Sequence, residues 1–242
     1  MGTIKIKKNK VKMIAHRGLS GILQENTIPA FMLAAKKSYF GIETDVHVTK
    51  DGKYIICHDD DIKRISGVDM IIEESLYDDL RKIPLCNKDG SVNEEMFLPS
   101  LEEYINICHT YNKISVLELK NDMDEKHVKE IIETVKKFGH YNQTIFISFS
   151  FKNIIYCKLN FSDINCQFLS DINTIEKQEF ALGFAKEYKV DLDLYHGSLT
   201  KEFIDICKEN NIKVNVWTVD DLGRAMELID MGVDYITSNI LE

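Results

Sequence analysis

Proline and tryptophan are scarce in this chain, with three and one in 242 residues, and glycine stops at twelve. That composition excludes collagen-like and low-complexity classes, and a hydrophobic share of 44% excludes a chain too polar to fold. Positive charge is short as well: 30 Lys and Arg face 39 Asp and Glu, a formal net charge of -9. Nucleic acids and anionic membranes both need a basic face, so neither is expected as a partner. A small phosphate-bearing ligand stays open, because it needs only a local patch of cation. No apolar run approaches the roughly eighteen residues of a membrane helix, and "MGTIKIKKNKVKM" lacks the core of a signal peptide. Ile6 stands where a myristoylation motif wants Ser or Thr. A cytoplasmic protein without stable membrane insertion is expected, with the lysines from Lys5 to Lys12 as a solvated arm. The six cysteines contain no C-x-x-C pair, so buried free thiols are expected rather than a disulfide framework or a zinc site.

What is present is an alternation. Short apolar, β-branched runs fall at 12–18, 41–48, 114–120, 144–150, 166–171, 190–197, 213–219 and 234–239. Helical spacing fills several of the gaps: Val128, Ile131, Ile132 and Val135 before Gly139, and Leu222, Ala225, Met226 and Ile229 before Gly232. Leu101, Tyr104, Ile105 and Cys108 repeat it behind Ser100 and Glu103, which have capping-box spacing. Thr27 to Tyr39 and Thr200 to Asn210 read as two further helices. Eight strands alternating with helices imply a parallel sheet, either a closed barrel or an open doubly wound one. The lack of a G-x-G-x-x-G or G-x-x-x-x-G-K-[ST] loop weakens the nucleotide-binding form of the open sheet. Asp51-Gly52 predicts a hairpin turn after the second strand. Some forty residues then show little periodicity, and 59–99 is read as a small inserted subdomain on one rim of a single domain spanning 1–242.

In "GIETDVHV" the apolar Ile42, Val46 and Val48, with Thr44, share one face of a strand, and Glu43, Asp45 and His47 share the other. The two carboxylates then stand about 6–7 Å apart on one face. In a barrel the first row packs on helices, which turns the carboxylates inward near the C-terminal mouth, where barrel sites sit. "VLELK" supplies Glu118 and Lys120 in the same relation. Inward carboxylates are costly without a cation. Three of them converging would form an all-oxygen site suited to Mg²⁺ or Ca²⁺, with Lys120 and Arg17 as nearby positive charge.

These stretches carry a resemblance. "AHRG", "ENTIPAF", "ETDVHVTKDGKYIICHD", "ELK" and "VNVWTVDD…ELIDMGVDYITSN" together resemble the glycerophosphodiester phosphodiesterase family from about residue 12 to 239. The resemblance implies a (β/α)₈ TIM barrel, one divalent cation, and hydrolysis of glycerophosphodiesters to glycerol 3-phosphate and an alcohol. By motif, His16 and His58 resemble the acid/base pair, and Glu43, Asp45 and Glu118 the metal ligands. Arg17 and Lys120 resemble phosphate contacts, and Trp217 a wall beside the glycerol. Gln24 stands where the family often has Pro, and Thr237-Ser238-Asn239 replaces an acidic step; neither is expected to touch the acid/base or metal residues. Two other readings stay open. A lysophospholipase D or phosphatidylinositol-specific type of phosphodiesterase would need an apolar entrance, which the sequence does not display. A non-catalytic barrel binding a phosphorylated metabolite would be marked by loss of His16 or His58. Of the other histidines, His109, His127 and His140 are expected to be structural or superficial, His196 lies at a strand mouth, and His47 is given no role.

Overall fold

The structure, a computed structural model, describes residues 2–7 and 10–242. In chain order its elements are β1 (Lys12–Ala15), α1 (Ile28–Ala35), β2 (Gly41–Val48), β3 (Tyr54–Ile56), α2 (Lys63–Ser66) and α3 (Tyr77–Leu80). Then follow β4 (Leu85–Cys86), β5 (Val92–Asn93), α4 (Leu101–Thr110), β6 (Ile114–Leu119), α5 (Glu125–Lys137), β7 (Thr144–Ser148) and α6 (Phe151–Asn160). The chain continues through β8 (Asn165–Ser170), α7 (Ile175–Tyr188), β9 (Asp191–Tyr195), α8 (Lys201–Glu209), β10 (Val214–Trp217), α9 (Leu222–Met231) and β11 (Tyr235–Ser238).

Hydrogen-bonded neighbours run β1-β11-β10-β9-β8-β7-β6-β2, and β1 pairs with β2 as well, so eight parallel strands close on themselves. With helices between the strands this is a (β/α)₈ barrel. Closure, not an open sheet, is the answer to the alternation of the sequence.

Period-two alternation sorts the strands into two layers. Ile42 and Val46 of β2 join the large core under the helices, along with Phe31, Tyr104 and Leu117. Ile14, Val116, Ile145, Ile147 and Leu169 fill the barrel interior. The helices form where the spacing placed them. Ser100 and Glu103 make a full capping box at the start of α4, and Gly232 closes α9 in the left-handed conformation. The first helix is shorter than read, ending at Ala35 rather than Tyr39.

β3 returns antiparallel to β2 through the Asp51-Gly52 turn. The segment from there to α4 has its own apolar cluster, including Ile55, Ile62, Ile65, Ile72, Leu80 and Leu98. It contacts the barrel mouth on two sides: Lys88 donates to the Ser20 carbonyl, and Asn121 donates to Asp60 (3.1 Å) and Glu73 (2.8 Å). All six cysteines are free, five of them buried. Lys8 and Asn9, inside the basic stretch read as a solvated arm, lie outside the described residues. Before them, the Ile6 backbone N–H donates to the Glu242 carbonyl (3.0 Å), next to a parallel bridge between Ile4 and Leu241, so that part of the stretch is docked on the C-terminal residues.

Candidate active site

The chain leaves β1 through a tight turn. Gly18 has φ +76°, and Arg17 itself sits at φ +52°, a left-handed conformation uncommon for a side-chain-bearing residue. The turn aims the Arg17 backbone N–H at Glu43 Oε2 (2.8 Å). The guanidinium donates to Glu25 Oε1 (2.9 Å) and lies 3.6 Å from Asp45 Oδ2. Asn26, also left-handed, donates to Asp45 Oδ2 (2.8 Å) and accepts from the Thr44 hydroxyl (2.8 Å). Thr27 caps α1, while its two predecessors, Glu25 and Asn26, serve the site.

β2 and β6 are neighbours in a register that sets Asp45 directly beside Glu118. Glu43, Asp45 and Glu118 are all buried, and each offers an oxygen within 4.8 Å of the others'. Lys120 lies 2.9 Å from Glu118 Oε1 and 3.5 Å from Asp45 Oδ1. Burial and the neighbouring carboxylates drive Glu43 well above the ordinary range, and burial with Asp45 pushes Glu118 up to about 7. Burial would raise Asp45 too, but Lys120 and Arg17 outweigh it and hold that carboxylate ionised. Two cations therefore face three carboxyls, and buried Asp45 Oδ1 has no hydrogen-bond donor among the described residues. A divalent cation fits this deficit. All-oxygen donors and excess negative charge suit Mg²⁺ or Ca²⁺, and Glu43, Asp45 and Glu118 are the residues that would hold it.

His16, Arg17, Glu43, His58, Glu118 and Trp217 line one cavity of about 110 Å³ at the C-terminal mouth. Asp45 and Lys120 stand behind it, against Glu118. All eight sequence-chosen residues thus converge. His196 does not: it packs at the rim, where Arg224 donates to its carbonyl (2.5 Å). His47, given no role, is buried with Nε2 3.5 Å from the His58 carbonyl.

One expectation is corrected. Asn239 of the unusual Thr-Ser-Asn step does touch one of the two histidines chosen from the sequence, with Oδ1 2.8 Å from His16 Nδ1. The Asn239 amide donates to Asp220 Oδ2 (2.6 Å), and Oδ1 also accepts from the Ser20 hydroxyl (2.6 Å). With the amide oriented so, His16 Nδ1 must be the donor and Nε2 is left free of hydrogen. Burial and the adjacent Arg17 lower His16 to about 4, so the ring is neutral at physiological pH. His58 has a carboxylate instead: its Nδ1 donates to Asp59 Oδ1 (2.7 Å).

Asp193 was also missed. It lines the same cavity, and its buried Oδ2 accepts from Asn215 (3.0 Å). Burial and Glu118 raise its carboxyl well above the usual range. The signal was legible, because Asp191-x-Asp193 repeats the spacing of Glu43-x-Asp45. The mouth is also more apolar than expected. Phe149, 51% exposed, packs edge-on against Trp217 at 5.5 Å, and Tyr195, also exposed, lies against the same indole at 5.6 Å. Among the described residues no helix is long and apolar enough to cross a membrane.

Residues 16–241 match the Glycerophosphoryl diester phosphodiesterase family. A glycerophosphodiester phosphodiesterase of Caldanaerobacter subterraneus subsp. tengcongensis is 26% identical over 95% of this chain and 94% of its own. A solved glycerophosphodiester phosphodiesterase of Parabacteroides distasonis superposes with TM-score 0.78 at 28% identity, covering 95% of this chain and 93% of that one. In fold, the chain is similar to an Oleispira antarctica phosphodiesterase solved with its product sn-glycerol-3-phosphate: TM-score 0.84, 23% identity, 98% and 96% coverage.

Proposed function

The chain belongs to the glycerophosphoryl diester phosphodiesterase family, and we propose that it hydrolyses glycerophosphodiesters such as glycerophosphocholine or glycerophosphoethanolamine to glycerol 3-phosphate and an alcohol. The observation that carries this reading is the meeting of three buried carboxylates, two of them lining one cavity, with two differently held histidines in the same lining. Phosphodiester cleavage needs a nucleophile deprotonated, charge on the phosphoryl oxygens offset, and the departing oxygen protonated. Neutral His16, with Nδ1 tied to Asn239 and Nε2 free, is placed to take the proton from a water or a substrate hydroxyl. His58, steadied from behind by the Asp59 carboxylate, is placed to give one to the leaving alcohol. Arg17 and Lys120 bring positive charge to the phosphate, and Trp217 walls the glycerol side. A divalent cation held by Glu43, Asp45 and Glu118 supplies, when bound, further stabilisation of charge on the phosphoryl oxygens.

The exposed Phe149 and Tyr195, both packed on Trp217, favour a second reading, in which the mouth admits the acyl chain of a lysophospholipid. One assay tests both. Glycerophosphocholine, glycerophosphoethanolamine and lysophosphatidylcholine are offered with Mg²⁺, with Ca²⁺ and with chelator. Turnover of the first two that stops with chelator, and a loss of about 100-fold or more in His58→Ala, are expected. Turnover of lysophosphatidylcholine alone supports the second reading. No turnover of any, or turnover indifferent to chelator, overturns the metal-dependent hydrolase.

A further inference from the structure

Arg64 lies outside the cavity, yet it grips two of the groups that orient the site. It stands in the middle of α2, between Ile62 and Ile65, both buried in the apolar cluster of the segment that follows β3. From this footing the guanidinium reaches two loops. Nε donates to Asp59 Oδ2 (2.7 Å), while Nη2 and Nη1 donate to Glu25 Oε1 (2.8 Å) and Oε2 (3.1 Å). The same two carboxylates hold the site: Asp59 takes the His58 ring with its second oxygen, Oδ1, and Glu25 Oε1 is shared between Arg64 and Arg17. One planar, multidentate cation thus closes a chain from His58 to Arg17 through three separate segments.

Resting on the functional reading above, we propose that Arg64 is a positioning residue that sets His58 and Arg17 together, through Asp59 and Glu25. The Arg64 side chain is 49% exposed, and exposed ion pairs add little to stability, so its contribution is placement rather than folding. A lysine cannot replace it. An ammonium is a point charge on a flexible stem, without the fork that spans two carboxylates. The segment after β3 thereby becomes a working part of the site, since any displacement of α2 would release the histidine and the arginine at once.

The test is steady-state kinetics on glycerophosphocholine, with melting temperatures measured in parallel. Arg64→Ala is expected to lower kcat/KM by about 100-fold, through both a lower kcat and a higher KM, while the fold stays intact. Arg64→Lys is expected to recover only part of it, and added methylguanidinium to recover activity in Arg64→Ala. Asp59→Asn should act mainly on kcat and Glu25→Gln mainly on KM. Arg64→Ala added to Asp59→Asn should lower kcat no further, as befits residues acting in series. Lys63→Ala, which breaks only an exposed pair with Asp69, is the neutral control. Arg64→Ala with kcat and KM within twofold of an active wild type overturns the inference. So does a loss in Arg64→Ala that multiplies fully with Asp59→Asn, or that follows the melting temperature alone. A wild type that cleaves none of the diesters overturns the functional reading itself and carries this one with it.

Discussion

An amide rather than a carboxylate stands behind His16, and that choice matters. Asn239 can accept the Nδ1 proton but adds no negative charge, so burial and Arg17 set the ring's behaviour and hold it down to about 4. Asn239→Asp, made together with Asp220→Asn because the new carboxyl would otherwise face Asp220 Oδ2 at 2.6 Å and share its proton, would place a carboxylate 2.8 Å from a buried imidazole, favouring its charged form. The acidic limb of the pH profile of kcat/KM is expected to move upward by about one unit or more, with activity near pH 5 falling. An unmoved limb would show that the Asn239 contact does not govern His16. At this scale the sequence was readable wherever residue type and chemistry coincide, as with the His, Arg, Glu and Asp of the motifs. Asn239 was not readable, because it meets His16 across 223 residues and only barrel closure brings β1 beside β11. Arg64 and Glu25 escaped for the same reason: each looks like an ordinary surface charge until the loops fold over one another.

Strand β2 was legible because burial on both faces leaves a plain signature, with apolar and β-branched residues toward the helices and carboxylates inward. The segment after β3 was not, since α2, α3, β4 and β5 have four residues or fewer and cannot display a period. Helices α6 and α7 were hidden differently: Phe151, Leu159, Ile175 and Phe180 expose large apolar groups and blur the stripe a buried face would leave. The turn after β1 offers the sharpest test of an element. A Cβ on Gly18 would lie 2.7 Å from the Ala30 carbonyl carbon and 2.9 Å from the Phe31 nitrogen, both backbone atoms of α1. Gly18→Ala must therefore push the turn and α1 apart while also straining a φ of +76°. A loss of about 1–3 kcal/mol is expected, with a fall in kcat as His16 and Arg17 shift. Gly90 has a similar φ of +84° but nothing within 4 Å of its Cβ, so Gly90→Ala should cost about 1 kcal/mol and leave kcat alone. Melting curves and kinetics of the pair separate steric collision from backbone strain; equal losses in both would remove the collision argument.

For the molecule as a whole, the site sets how stability responds to pH and to cations. Glu118 is raised to about 7 and Glu43 is raised too, so the folded protein keeps protons that the unfolded chain releases above about 4.5. That contribution is complete below the unfolded value and is lost as pH rises through about 7. His16 and His140, both lowered to about 4, act in the other direction: their contribution is complete above about 6.5 and is lost as pH falls through about 4. The two effects oppose each other in the acid range. Above pH 6.5 only the carboxyls still change, and without a cation the melting temperature should fall from there to pH 8. The Glu118 carboxyl alone is worth on the order of 3 kcal/mol in all, of which about 1 kcal/mol, or roughly 2–4 °C in a chain of this size, remains to be lost above pH 6.5. A divalent cation at the three carboxylates displaces their protons and supplies the missing charge, so it should bind more tightly as pH rises. Scanning calorimetry with Mg²⁺ or Ca²⁺ against chelator, at pH 6 and pH 8, should therefore give the larger rise in melting temperature at pH 8. Glu118→Gln, which cannot ionise, should flatten that difference. If the cation raises the melting temperature equally at both pH values, the carboxyls are not competing with protons for it, and the charge deficit at the barrel mouth is met in some other way.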